Sequence, residues 1–144
     1  MTKDQLLFEL IASLELRSIV PMKLESERFS DPPAVNSELQ LASNVQFSDN
    51  DPEVQTGDNW VFRPRMICEV SLAGAIHFRQ TTYFVLLFGM KNMERVQELW
   101  TDLQLRKDFQ EKQVTKTLWP LFRQHVIDGM SRVGLPFVTL PWLV

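Results

Sequence analysis

Cysteine is nearly missing from this chain: Cys68 is the only one in 144 residues. A lone thiol closes no internal disulfide, so a reducing compartment is expected. Histidine is as scarce, and His77 and His125 stand too far from each other and from Cys68 to read as metal-ligand spacing. Glycine occurs five times and builds no phosphate-cradling loop. An excess of positive charge is absent too; a net charge of −3 argues against nucleic acid as a bulk electrostatic partner. No apolar run is long enough to cross a bilayer, YFVLLFGM at 83–90 being the longest. The first residues, MTKDQLLFELIASLELRS, carry Glu9 and Glu15 within their apolar stretch and do not read as a signal peptide. A cytoplasmic protein without direct membrane insertion is expected.

What remains is ordinary globular material. Hydrophobic residues make up 44% and charged residues 23%. The length fits a single domain spanning 1–144, able to bury roughly two thirds of its unfolded surface. Thr2 followed by Gln5 reads as a capping box, with Leu6, Leu7, Leu10, Ile11 and Leu14 at helical spacing behind it. A short helix is expected over about 3–13.

From Leu14 the period becomes two. Leu14, Leu16, Val20, Met22 and Leu24 are expected on one face of a strand, with Glu15, Arg17, Lys23 and Glu25 on the other. SDPP at 30–33 breaks it. A second strand places Leu39, Leu41, Val45 and Phe47 against polar alternates, and a turn-rich segment at 49–59 follows. A third runs from about Trp60 to Ala73, with Trp60, Phe62, Met66, Cys68, Val70 and Leu72 on one face and Arg63, Arg65 and Glu69 on the other. The fourth begins at about Ile76 and ends as the continuous apolar run, which predicts cover on both faces there. Helical spacing then returns. Met93, Val96, Leu99, Trp100 and Leu103 form one stripe, and RKDFQEKQ follows as a polar stretch. Trp119, Phe122, Val126, Met130 and Val133 form a second stripe, entered through Trp119-Pro120 and closed by Gly134 and Pro136. Strands grouped between helices predict an α+β fold. Its centre is a four-stranded antiparallel sheet followed by long amphipathic helices, with an extra short N-terminal helix.

The inventory for chemistry is thin. Cys68 shares a face with Phe62, Met66 and Val70, where a thiol is buried and inert. His77 falls on the polar register of its strand, and His125 flanks the helical stripe as a packed or interface residue. Asp49, Asp51, Glu53 and Asp58 resemble a calcium loop only loosely, because the glycine at the sixth position is missing. Arg63 and Arg65 beside Val61 and Phe62 make a weak nucleic-acid patch in an acidic chain. No catalytic site, metal or cofactor is expected. What stands out is apolar surface with no assigned cover. One layer of helices covers one face of the sheet. Trp60, Trp100, Trp142, Tyr83, Phe88 and the uncharged segment VGLPFVTLPWLV at 133–144 are left over. An obligate oligomer and a groove for extended chains both answer that.

The segment LWPLFRQHVIDGMSRVGLPFVTLP, about a sixth of the chain, resembles the main helix and exit of the SecB family of export chaperones. The matching positions are Trp119-Pro120, Arg123, Ser131-Arg132, Leu135-Pro136 and then Val138, Leu140 and Pro141. The resemblance implies an ATP-independent holdase that takes unfolded polypeptide into hydrophobic grooves. It also implies a homotetramer, a dimer of dimers, with helices at the interface. Trp119, Phe122, Val126 and Met130 would then be interface residues. Trp60, Phe62, Tyr83, Phe88, Trp100, Phe137 and Trp142 would line the client groove, where aromatics bury apolar area at low entropy cost. Three features depart from the export chaperone: the N-terminal helix, a helical insert at about 91–110, and a stop without the further helix and acidic tail. They put docking to the SecA motor in doubt. They look more like the SecB-like chaperones of toxin–antitoxin–chaperone systems, some of which resist phages. The client is expected to be a dedicated antitoxin or an export precursor. An oligomeric adaptor for one folded partner and a small enzyme with an apolar pocket remain as alternatives.

Overall fold

The computed structural model describes residues 2–29, 40–48, 51–72 and 74–134. Helix α1 (Lys3–Ala12) opens with the expected capping box: the Thr2 hydroxyl accepts from the Gln5 amide at 3.2 Å, and the Gln5 side chain accepts from the Thr2 amide at 2.8 Å. Strand β1 (Leu14–Arg28) follows almost directly. Then come β2 (Gln40–Gln46), β3 (Glu53–Gln55), β4 (Asn59–Phe62), β5 (Arg65–Leu72) and the long β6 (Ala75–Met90). The helical half comprises α2 (Met93–Leu99), α3 (Leu103–Asp108), a π-helical turn (Phe109–Val114) and α4 (Thr115–Arg132). Among the described residues no helix is long and apolar enough to cross a membrane.

β6 is the spine of the sheet. β1 runs antiparallel along one side of it, from Leu14 opposite Met90 to Arg28 opposite Phe78. β5 and β4 share the other side, β5 opposite residues 75–83 and β4 opposite 86–89. β2 lies outside β5, and β3 lies outside β4. Among the described residues the sheet therefore has six strands where four were expected. Pro64 is one reason: it has no N–H for the ladder, so the expected strand from Trp60 splits there into β4 and β5. β3 is the other, a three-residue strand inside the segment read as a turn.

The core lies between one face of this sheet and the helices. Trp60, Phe62, Met66, Cys68 and Val70 all point into it, as their alternation predicts. Phe78, Phe84, Leu86 and Phe88 of β6 join them. The opposite register of β6, with Tyr83, Val85 and Leu87, is only half-buried, so the continuous apolar run does not mean cover on both faces.

The helices correct two expectations. Asp102 restarts the chain by accepting from the amides of Gln104 and Leu105, which resets the helical phase. Leu105 turns inward as a result, and Leu103, expected in the stripe, is 74% exposed. The supposed polar stretch is helical and buries Phe109. Pro120 then sits inside α4 rather than at its entry. The backbone bond it forfeits would reach back to Lys116. Both residues are exposed, so water can satisfy that carbonyl.

α4 is seated by a small polar cluster beneath it. Ser26 donates to the Gln80 side chain, and both lie against Gly129. A side chain at 129 would also stand 2.6 Å from the Ser26 hydroxyl and 3.0 Å from the Phe78 ring. One turn earlier, His125 stacks on Phe84 at 5.7 Å, and its Nδ1 shares a hydrogen bond with the Thr82 hydroxyl at 3.2 Å. Burial holds the imidazole pKa below its ordinary value; Asp128 opposes the shift and Arg132 adds to it. At the far end, Glu9 receives Arg95 through two bonds of 2.6 and 2.8 Å, which ties α1 to α2.

Two outcomes follow from the seat of α4. Gly129→Ala should lower stability by about 1–3 kcal/mol through overpacking, despite the better helix propensity of alanine, as read from the urea midpoint. Because the folded histidine resists protonation, stability should fall as pH drops through the ordinary value of 6.5. His125→Gln should remove that part of the pH dependence.

Candidate binding surface

Most of the aromatic residues expected to line a groove are inside the chain. Trp60 packs edge-on against Phe62 at 4.9 Å and Trp100 at 4.8 Å, and Phe88 meets Phe62 at 5.7 Å. Phe109 touches all four rings, at 5.8–6.3 Å. None of Trp60, Phe62, Phe88 and Trp100 is more than 8% exposed. The physical reason is the helical insert: α2 and the π-helical turn supply Trp100 and Phe109, which cover β4. Trp119, Phe122, Val126 and Met130, expected at a subunit interface, are likewise buried against the chain's own sheet. Tyr83 alone of the described groove candidates reaches the outer face, with Lys23 at 5.6 Å and Arg65 at 6.0 Å from its ring. Phe137 and Trp142 lie outside the described residues.

The apolar surface left open is on β1, where core was expected. Leu16 pairs with Phe88 and Ser18 with Leu87, so Arg17 is an extra residue; Pro21 pairs with Phe84 and Lys23 with Tyr83, so Met22 is a second. Directly opposed residues share a face. Leu16, Ile19, Pro21 and Leu24 therefore lie on the helical side, with Phe88, Leu86, Phe84 and Thr82. Val20 lies on the other, opposite Val85. The expected single face of Leu14, Leu16, Val20, Met22 and Leu24 is split by these two bulges. Only Leu14 is buried; Leu16, Val20 and Leu24 are each 43% exposed and Met22 is 65% exposed.

Arg17, the first extra residue, is anchored. Its guanidinium lies over Gly89, in the space a side chain there would fill, and bonds both oxygens of Asp58 at 2.9 and 3.0 Å. That contact raises the pKa of Arg17 and lowers that of Asp58. Met22, at the second bulge, points into solvent. Among the described residues β1 pairs with β6 alone, so its other edge is open. Pro21 removes one donor from the strand.

Beyond this strip the outer face of the sheet is charged and paired. Arg79 meets Glu69 at 2.8 Å and Glu27 at 3.5 Å, and Lys23 meets Glu25 at 2.7 Å. Glu25, Glu27, Glu69 and Arg79, with Arg65 and Tyr83, line a shallow hollow of about 390 Å³. Of the loop acids that suggested calcium, Glu53 meets Arg63 at 2.7 Å, Asp58 meets Arg17, and Asp51 accepts from the Arg63 amide at 2.9 Å. Asp49 lies outside the described residues. Cys68 is buried on the core face opposite Gln80, and burial pushes its thiol pKa up to about 11. His77 is three residues along β6 from Gln80, about 10 Å of strand. That spacing does not make a nucleophile and its base.

No protein-family model matches the chain, and no curated protein matches it in sequence. Among solved structures it is similar to a SecB-like chaperone of Mycobacterium tuberculosis, in complex with a ChAD peptide from the HigA1 antitoxin. The TM-score is 0.73 at 16% identity, over 99% of this chain and 100% of that one. The chain has the fold of a SecB-like chaperone.

The division between inside and outside can be measured. Trp60→Ala should cost about 3–5 kcal/mol by emptying the aromatic cluster. Met22→Ser should change stability by less than about 0.5 kcal/mol. Urea unfolding of the two variants checks both.

Proposed function

We propose that this protein is an ATP-independent chaperone that holds unfolded or aggregation-prone polypeptide. Its favoured client is a dedicated antitoxin, and an export precursor is the second. One observation carries the reading: a fifteen-residue strand in this fold leaves Leu16, Val20, Met22 and Leu24 exposed beside an edge that no described strand pairs. An extended segment laid along β1 would bury its apolar side chains there, at about 25 cal/mol per Å² removed from water. Main-chain hydrogen bonds to the edge would add to this but run discontinuously, because the bulges and Pro21 interrupt the register. Ordering the client offsets much of the gain, so a generic client binds modestly and is released without nucleotide. The likeness to a chaperone complexed with an antitoxin peptide supports an antitoxin as client.

The groove residues are Leu16, Val20, Met22 and Leu24, with Tyr83 at the rim. Phe137 and Trp142 stay candidates from the sequence. Trp60, Phe62, Phe88 and Trp100 belong to the core and not to the groove. The same open edge supports assembly with further copies, a homotetramer in this reading. The ion-paired outer face around Tyr83 favours the adaptor as a second reading, since fixed charges suit a folded partner.

The experiment is suppression of aggregation of a chemically denatured model protein, without ATP. The wild-type chain at modest excess should delay light scattering. Met22→Ser with Leu24→Ser should weaken that delay several-fold while the circular dichroism spectrum is kept. A wild-type chain that fails to delay aggregation, yet binds one natively folded partner, would make the adaptor the correct reading.

A further inference from the structure

The row of polar groups beneath α4 ends in an ionisable one. His125 and Gly129 stand one helical turn apart on α4, over Thr82 and Gln80, two residues apart on β6. The two spacings agree, about 6 Å along the helix and about 6.6 Å along the strand. The register sets Ser26 of β1 opposite Gln80 and Leu24 opposite Thr82. Hydrogen bonds run along the row in one direction. The Ser26 hydroxyl donates to Gln80 Oε1, and Gln80 Nε2 donates to the Thr82 hydroxyl oxygen at 3.4 Å. Among the described residues, His125 Nδ1 at 3.2 Å is the acceptor within reach of the one hydrogen on that hydroxyl. The donor chain thus fixes a neutral imidazole with its proton on Nε2. Gln80 and Thr82 are fully buried, so the row is shut off from water at its centre.

We infer that this row is a pH-operated latch between α4 and the C-terminal half of β1: a proton taken up at His125 Nδ1 breaks its last bond and loosens residues 22–28. A protonated Nδ1 donates, and the Thr82 hydrogen is left without an acceptor in a buried site, where an unmet donor is costly. Burial already holds the imidazole below its ordinary pKa, which marks the closed seat as one that rejects the proton. The charges acting on the ring come from α4 itself: Asp128 favours the proton and Arg132 opposes it. The facing residues carry none: Thr82 and Phe84 of β6, Leu24 and Ser26 of β1, and Met66 of β5. Glu25 and Glu27 line the hollow on the outer face, and Arg28 donates to the Val133 carbonyl at 2.8 Å. β1 is the side that yields. α4 keeps Phe122, Val126 and Met130 buried in the core, whereas no side chain of 22–28 is buried. Among the described residues 22–28 pairs with β6 alone. Met22 and Leu24 of the exposed strip lie in this half, but the latch stands whether or not they hold a client.

The test is amide hydrogen exchange of the full chain between about pH 7.5 and about pH 5.5, corrected for the intrinsic rate at each pH. For one proton, opening of 22–28 should grow about tenfold per pH unit below 6.5, until the folded imidazole itself takes the proton. Protection of β4 and β5 should not follow pH. His125→Gln keeps an acceptor for the Thr82 hydroxyl and should make the protection of 22–28 independent of pH. The other histidine is the control. His77 stands at the same end of the sheet, where its carbonyl accepts from the Phe29 amide at 2.9 Å, and His77→Gln should leave the slope in place. Ser26→Ala cuts the row at β1 and should loosen 22–28 several-fold already at about pH 7.5; protection equal to that of the wild type overturns the link. In the wild-type chain the His125 ring is followed by NMR over the same range. A ring that titrates while 22–28 keeps its protection overturns the inference without any variant having to fold. A slope that survives His125→Gln, or one that His77→Gln abolishes, overturns it as well.

Discussion

Among the described residues β1 is held by β6 alone, and much of the molecule follows from that. It rides along β6 for its full length, while β4 and β5 compete for the opposite side of the same strand. The helices pack over β4, β5 and β6, where Trp60, Phe62, Met66 and the inner register of β6 are already close together. Along β1, Leu14 is buried beside α1, Ile19 packs partly against the core and Ser26 lies beneath α4. Elsewhere Leu16, Val20, Met22 and Leu24 are exposed, and among the described residues no strand pairs with the outer edge. A protein of this size has enough core to tolerate that. The aromatic cluster and the α4 seat stabilise the fold without the strip on β1.

The two bulges shape what that strip can do. Each adds a residue to β1 without adding one to β6, so the apolar side chains are distributed to both sides of the edge. Arg17, at the first, is fixed to Asp58 and stiffens the start of the strand. Met22, at the second, is 65% exposed, and a methionine side chain adapts readily to varied surfaces. Interrupted register also protects the chain itself: an unbroken flat edge of this length would invite uncontrolled pairing.

Much of this was legible in the sequence where local and tertiary demands agree. The capping box at Thr2 and Gln5, the inward alternation from Trp60 to Val70 and the stripe on α4 all appear as expected. The candidate site was not legible for a specific reason. A bulge moves every following residue to the other face, and nothing in LELRSIVPMKLESER marks where β6 will skip a residue. Pro21 was the available signal, because proline inside a strand indicates an edge. Counting aromatics pointed elsewhere, since large rings are what a core collects first. Leu103 misled in the same way: its spacing was right for one continuous helix, and Asp102 breaks that helix just before it.

Amide hydrogen exchange along β1, with and without a saturating unfolded polypeptide, tests the central claim most directly. The account predicts that amides of residues 16–24 not bonded to β6 exchange fast in the free protein. They should slow markedly when the unfolded chain is bound, while those of α2 and β4 stay as they were. Protection that appears on the helical layer or the outer ion pairs instead, with β1 unchanged, would contradict it.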